Sequence, residues 1–90
     1  MAQDLGTFIG FTALSRHGAL GIVVDVDRDV AREPALVVRG GVSASLLYFV
    51  PCGRVSEVSP EQRTVFVDAD LADFDSSLRG DGTIVLRAAR

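Results

Sequence analysis

The sequence predicts a mostly β, single-domain fold. The expected architecture is a small barrel of about six short antiparallel strands, a short helical turn, and a last strand near the C-terminus. Three observations carry this. The apolar segments are short and rich in Val, Ile, Leu and Phe. Turn residues interrupt them about every ten positions, the spacing of a sandwich or barrel and not of a βαβ sheet. The chain has 90 residues, of which 48% are hydrophobic and 23% charged, enough for one modest core.

The elements follow in order. Residues 7–14 form a first apolar strand, with Gly6 and Gly10 where it can bend. Ser15-Arg16-His17-Gly18 is a turn, Gly18 supplying a positive φ. Leu20, Ile22, Val24 and Val26 alternate with Gly21, Val23, Asp25 and Asp27, which predicts one face toward a core and one toward water. Residues 29–34 are a polar connection ending in Pro34. Residues 35–39 form a third strand, Gly40-Gly41 a turn, and residues 43–50 a fourth strand. Pro51 removes a ladder donor and interrupts pairing there. Val55 and Val58 mark a fifth strand, Ser59-Pro60-Glu61-Gln62 a turn, and residues 63–68 a sixth strand with Val65 and Val67 on one side. Asp70 then reads as a helix N-cap, with Leu71, Phe74 and Leu78 at helical spacing and Gly80 as the stop, so a helical turn is expected over 71–78. Asp81-Gly82 is a turn and residues 83–86 a last strand.

Composition limits the function. The formal charge is −3 and the basic residues, all Arg, do not cluster, which argues against direct nucleic-acid binding. The single cysteine, Cys52, excludes an intrachain disulfide and fits a cytoplasmic location. Residues 1–5 carry Asp4 and no basic residue, unlike a signal peptide. The longest apolar run, residues 46–50, is far short of the roughly 20 residues of a spanning helix, so no membrane span is expected.

The pattern resembles the PRC-barrel family, the small β-barrel of the photosynthetic reaction-centre H subunit and of the C-terminal half of a ribosome maturation factor. The resemblance covers about residues 8–73. It rests on the turn at His17-Gly18, the phrase Leu20-Gly21-Ile22-Val23-Val24-Asp25-Val26, the strand Ala35-Leu36-Val37-Val38, the step Val50-Pro51, and a closing pair near Val55 and Val65 to Val67. His17 stands where the family usually has an acidic or amide residue, and residues 78–90 fall outside the match. The resemblance implies a non-catalytic adaptor that docks on protein partners or pairs with itself. It also implies, as an alternative, docking on a ribosomal protein.

The candidate chemistry is sparse. His17, the only histidine, suits a turn position better than a catalytic triad, because no Ser or Cys can be placed beside it. Cys52 lies two positions before Arg54, but a free, partly buried thiol is the simpler reading than a reactive one. Asp25, Asp27 and Asp29 begin like a calcium loop, yet Val30 stands where Gly is needed and Leu36 where Glu is needed. Asp68, Asp70, Asp73 and Asp75 form a second acidic cluster that capping and solvation account for, and both clusters can steer a basic partner. Gly40-Gly41 lacks the Lys-Ser or Lys-Thr of a phosphate loop. No catalytic residue, metal site or cofactor is therefore expected. A small enzyme or metal-binding protein using Cys52 or the Asp clusters is the remaining alternative.

The anomaly is Leu46-Leu47-Tyr48-Phe49-Val50, apolar on both faces. If Leu46, Tyr48 and Val50 fill the barrel, Leu47 and Phe49 lie outside, and Phe66 shares that outside parity on its own strand. Leu47, Phe49 and Phe66 are thus the candidate interaction surface. Either the chain's own tail or a second copy is expected to cover them, with a homodimer as the leading partner expectation.

Overall fold

The structure is a computed structural model that describes residues 5–16, 18–28, 33–40, 46–69 and 73–88. It is mostly β, as the sequence predicts. Among the described residues eight strands lie in one sheet: β1 (Thr12–Ser15), β2 (Gly18–Asp27), β3 (Ala35–Gly40), β4 (Leu46–Pro51), β5 (Val55–Ser59), β6 (Thr64–Val67), β7 (Phe74–Leu78) and β8 (Ile84–Ala88). Their order across the sheet is β5-β6-β1-β2-β3-β4-β8-β7.

The first six strands in the chain curl around one core. Ala13 of β1, Leu20 and Val23 of β2, Leu36 and Val38 of β3, Tyr48 and Val50 of β4, and Val65 and Val67 of β6 all belong to one buried cluster. Val55 and Val58 of β5 pack against it. One face of every strand can meet in one cluster only if the sheet rolls up. A single 3-10 turn, Cys52–Arg54, carries the chain from the end of β4 to β5 at the opposite end of the order. Pro51 starts this turn with φ −60° and ψ 145°, and the Cys52 N–H donates to the Pro34 carbonyl at 3.0 Å. The break expected at Pro51 is therefore the seam of the barrel.

The strand expected from residue 7 begins later. Leu5–Phe8 is a 3-10 turn, and Gly10, at φ 95°, redirects the chain into β1. Gly10 and Val23 nevertheless already bond across, Gly10 N–H to the Val23 carbonyl and Val23 N–H to the Phe11 carbonyl, at 2.8 and 2.9 Å.

The alternation expected in β2 does not hold. Val23 is buried, whereas Ile22 and Val24 are exposed. The reason is two register shifts: β2 gains a residue against β1 near Leu20 and against β3 at Val24. Each bulge resets the parity, so the inward residues are Leu20, Val23 and Val26, three apart. Between the bulges β2 and β3 approach closely. Gly21 faces Gly40 one step beyond the Ile22–Arg39 pair. A Cβ on Gly21 would overlap the Arg39 carbonyl oxygen, and one on Gly40 the Leu20 carbonyl oxygen.

The helical turn expected over 71–78 is corrected by the structure: Phe74–Leu78 is strand β7, antiparallel to β8; residues 71 and 72 lie outside the described residues. Apolar residues four apart share one face of a strand as well as of a helix, so Phe74 and Leu78 satisfied both periods. Asp75, Ser76 and Ser77 between them are poor helix formers and sit exposed on the strand. Phe74 anchors the hairpin, its ring edge-on to Tyr48 at 5.4 Å. The hairpin loop is closed by Arg79 N–H to the Thr83 carbonyl at 2.8 Å and by the Asp81 carboxylate accepting the Thr83 N–H at 2.9 Å. Those bonds from Thr83 hold the Asp81 carboxyl below its ordinary pKa, so the loop is supported at neutral pH and loses that support as pH falls through that lowered value. Not all pairing is antiparallel: β1 with β6 and β4 with β8 are parallel. The predicted positions His17, Asp29, Gly41, Asp70 and Leu71 lie outside the described residues, as do residues 43–45 of the fourth strand.

Gly21→Ala is expected to lower the unfolding free energy by about 3 kcal/mol, because main-chain atoms must move to admit the methyl group. Gly18→Ala has a positive φ of 127° but open space around the Cβ, and should cost only about 1 kcal/mol. Urea denaturation of the two variants measures the difference.

Candidate docking surface

Strand β4 is apolar on both sides because it has a core on one side and a second, smaller apolar surface on the other. Tyr48 and Val50 are buried in the barrel and Leu46 packs against it, as the sequence predicts. Leu47 and Phe49 point outward and are half-buried. The register places their neighbours. Val37 and Arg39 of β3 stand beside Phe49 and Leu47, and Val85 and Arg87 of β8 flank the same pair on the other side. Val37 and Val85 are themselves buried. The outer face of β3, β4 and β8 thus has an apolar centre of Val37, Leu47, Phe49 and Val85. Charges of both signs frame it, with Asp25 opposite Val37 and Asp75 opposite Arg87. An apolar centre within a charged rim is the anatomy of a protein contact surface.

The C-terminal hairpin bears on this face in one specific way. It extends the sheet beside β4 and does not lie across it. From the hairpin, the Arg87 guanidinium reaches over, 4.3 Å from the centre of the Phe49 ring. Such a contact contributes roughly 0.5–1 kcal/mol at an exposed site and leaves a movable cap over the ring.

Phe66 does lie outside the core with the parity expected, but not with Leu47 and Phe49. It stands on β6, with β1, β2 and β3 between it and β4. There it lines a separate groove with Leu14, Ser15, Arg16, Ser56, Val67 and Asp68. Arg16 and Asp68 pair across the rim at 2.7 Å, both largely exposed, and the Ser56 hydroxyl donates to the Phe66 carbonyl at 3.2 Å. The sequence could show that Phe66 faces outward; which outward residues share a surface depends on strand order. Val37 and Val85 were missed for a related reason, since nothing in their own strands marks them as neighbours of Phe49.

Cys52 lies at the barrel seam, lining a cavity of about 220 Å³ with Phe8, Leu36, Val55, Ser56, Glu57 and Val58. Burial pushes its thiol pKa up, and the Glu33 carboxylate pushes it further; the opposing pull of Arg28 is smaller. The thiol is therefore held protonated, the reverse of what nucleophilic use requires. Glu33 is fixed there by accepting the Gly53 N–H at 3.1 Å. Among the described residues no three His, Cys, Asp or Glu side chains gather as a metal site would require. No described helix is long and apolar enough to cross a membrane.

Glu33→Gln keeps an acceptor for Gly53 and removes the charge. It should lower the Cys52 pKa and speed alkylation by iodoacetamide at pH 8, with no change in the β spectrum. An unchanged rate would show that burial alone sets the thiol.

The sequence matches no family model and no curated protein. Among solved structures, the fold is similar to a protein from Pseudomonas aeruginosa described as a 16S ribosomal RNA processing protein, RimM, with a TM-score of 0.66 at 19% identity. The similarity covers 80% of this chain and 46% of that one, so the chain spans just under half that protein's length. At this identity the likeness concerns the fold alone.

Proposed function

We propose that the chain is a non-catalytic protein-docking module whose partner sits on the outer face of β3, β4 and β8. One observation carries this: the inner side of β4 already fills the core, yet its outer side leaves Leu47 and Phe49 half-exposed, seated between the buried Val37 and Val85 of the neighbouring strands. Fully burying a Phe or Leu side chain contributes roughly 1.5–3 kcal/mol, so a partner that completes the burial of this half-buried pair gains part of that from each. Phe and Arg are frequent anchors at such contacts, and here Arg87 stands over Phe49.

The fold likeness to a 16S ribosomal RNA processing protein favours one kind of partner, a protein of the small ribosomal subunit. The net charge of −3 favours a basic protein over RNA itself.

The test is binding of the chain to purified small ribosomal subunits and to their separated proteins at low and moderate salt. Binding to a protein component, lost in Phe49→Asp with its β spectrum intact, is the expected result. Failure to bind removes the ribosomal partner, and binding that Phe49→Asp leaves unchanged removes the outer face as the site. Arg87→Ala should weaken binding less, by about threefold to tenfold, because only the cap is lost.

A further inference from the structure

We propose that a second copy of the chain docks along the free edge of β7, forming a two-fold dimer with one sheet running through both copies. The two ends of the sheet differ. β5 pairs with β6 through a register shift between Val55 and Glu57, and such a bulge twists an edge out of the flat geometry that a new strand needs. β7 pairs with β8 without a shift, and contains no Pro, Lys or Arg. Among the described residues no strand pairs with its other side. Asp75, Ser76 and Ser77 are exposed and Leu78 is 74% exposed, the most exposed of the large hydrophobic residues described.

The hydrogen-bond alternation shows which groups face outward. Arg79 bonds across to Thr83, so Arg79 and the residues two and four before it, Ser77 and Asp75, direct their N–H and C=O groups at β8. The groups of Phe74, Ser76 and Leu78 point to the free edge. An antiparallel pairing of two copies centred on Ser76 sets these residues against one another: Phe74 opposite Leu78 of the second copy, Ser76 opposite Ser76, Leu78 opposite Phe74. Each such pair can exchange both N–H···O bonds.

The side chains agree with the same register. Leu78 meets the apolar Phe74 position, and Asp75 faces a Ser77 hydroxyl. Each Asp75 carboxylate thus has a hydroxyl donor opposite it at either end of the interface. Sliding the register to centre on Asp75 would instead set two Asp75 carboxylates against each other. A segment that complements itself in one register suits a two-fold contact, in which the same patch is used by both subunits.

The sequence alone placed self-association on Leu47, Phe49 and Phe66. The edge of β7 needs none of them, and it leaves the outer face of β3, β4 and β8 open on the same side of the joined sheet in both copies. The inference is independent of which partner that face takes.

Sedimentation velocity at high-micromolar concentration tests it with four variants. The expected result is a wild-type dimer that Phe49→Asp leaves intact. Ser76→Pro removes an outward N–H without breaking a bond to β8, and should weaken association by about tenfold or more. Ser77→Asp should be monomeric, because it sets a carboxylate opposite Asp75 of the second copy, whereas Ser77→Arg should keep the dimer. A monomeric wild type overturns the edge dimer while leaving the partner-docking reading to its own test. A dimer that survives Ser76→Pro, or one that Phe49→Asp dissolves, overturns it too. So does Ser77→Asp if it dimerises as the wild type does.

Discussion

The fold depends on one tight passage, the turn Cys52–Arg54 that takes the chain from β4 to β5. Because β4 and β5 lie at opposite ends of a six-strand order, joining them by three residues forces the intervening sheet to close on itself. The core, the seam cavity and the two-sided burial of β4 all follow from that. A longer connection would let the sheet lie open, with Val55 and Val58 no longer opposite Leu36. Pro51 fits the passage because its fixed φ matches the turn and its missing N–H falls where the ladder stops.

Closure at this size needs curvature, and β2 supplies it. Its two bulges and the Gly21–Gly40 approach bend the longest strand around the barrel. The same devices made β2 the least readable element. Its apolar residues alternate almost perfectly in the sequence, yet the inward set is Leu20, Val23 and Val26. A parity rule assumes an unbroken ladder, and nothing in the residues around Leu20 or Val24 marks an insertion there. Strand β4, which carries no bulge, was legible residue by residue. Tyr48 and Val50 were placed inward and Leu47 and Phe49 outward from spacing alone.

What the sequence could not supply was adjacency between distant strands. The parallel pairing of β4 with β8 joins segments more than thirty residues apart, and no local signal announces it. It decides that Arg87 covers Phe49, that Val85 continues the apolar face, and that Phe66 belongs elsewhere. The misread turn at β7 has a different cause. A strand with one buried residue at its end carries almost no periodicity, so a spacing of four was open to either reading.

The parallel contact between β4 and β8 also orders events in time. β4 cannot acquire this neighbour until β8 exists, and during synthesis the β7–β8 hairpin emerges from the ribosome well after β4. Until then Leu46-Leu47-Tyr48-Phe49-Val50 forms an open edge that is apolar on both faces, the composition most prone to pair with the wrong chain. The hairpin β7–β8 is built from local contacts and can form as soon as it is released. It therefore acts as an end-cap that quenches a hazard created some forty residues earlier. Loss of the hairpin would expose nascent chains to aggregation and would also take Phe74 out of the core.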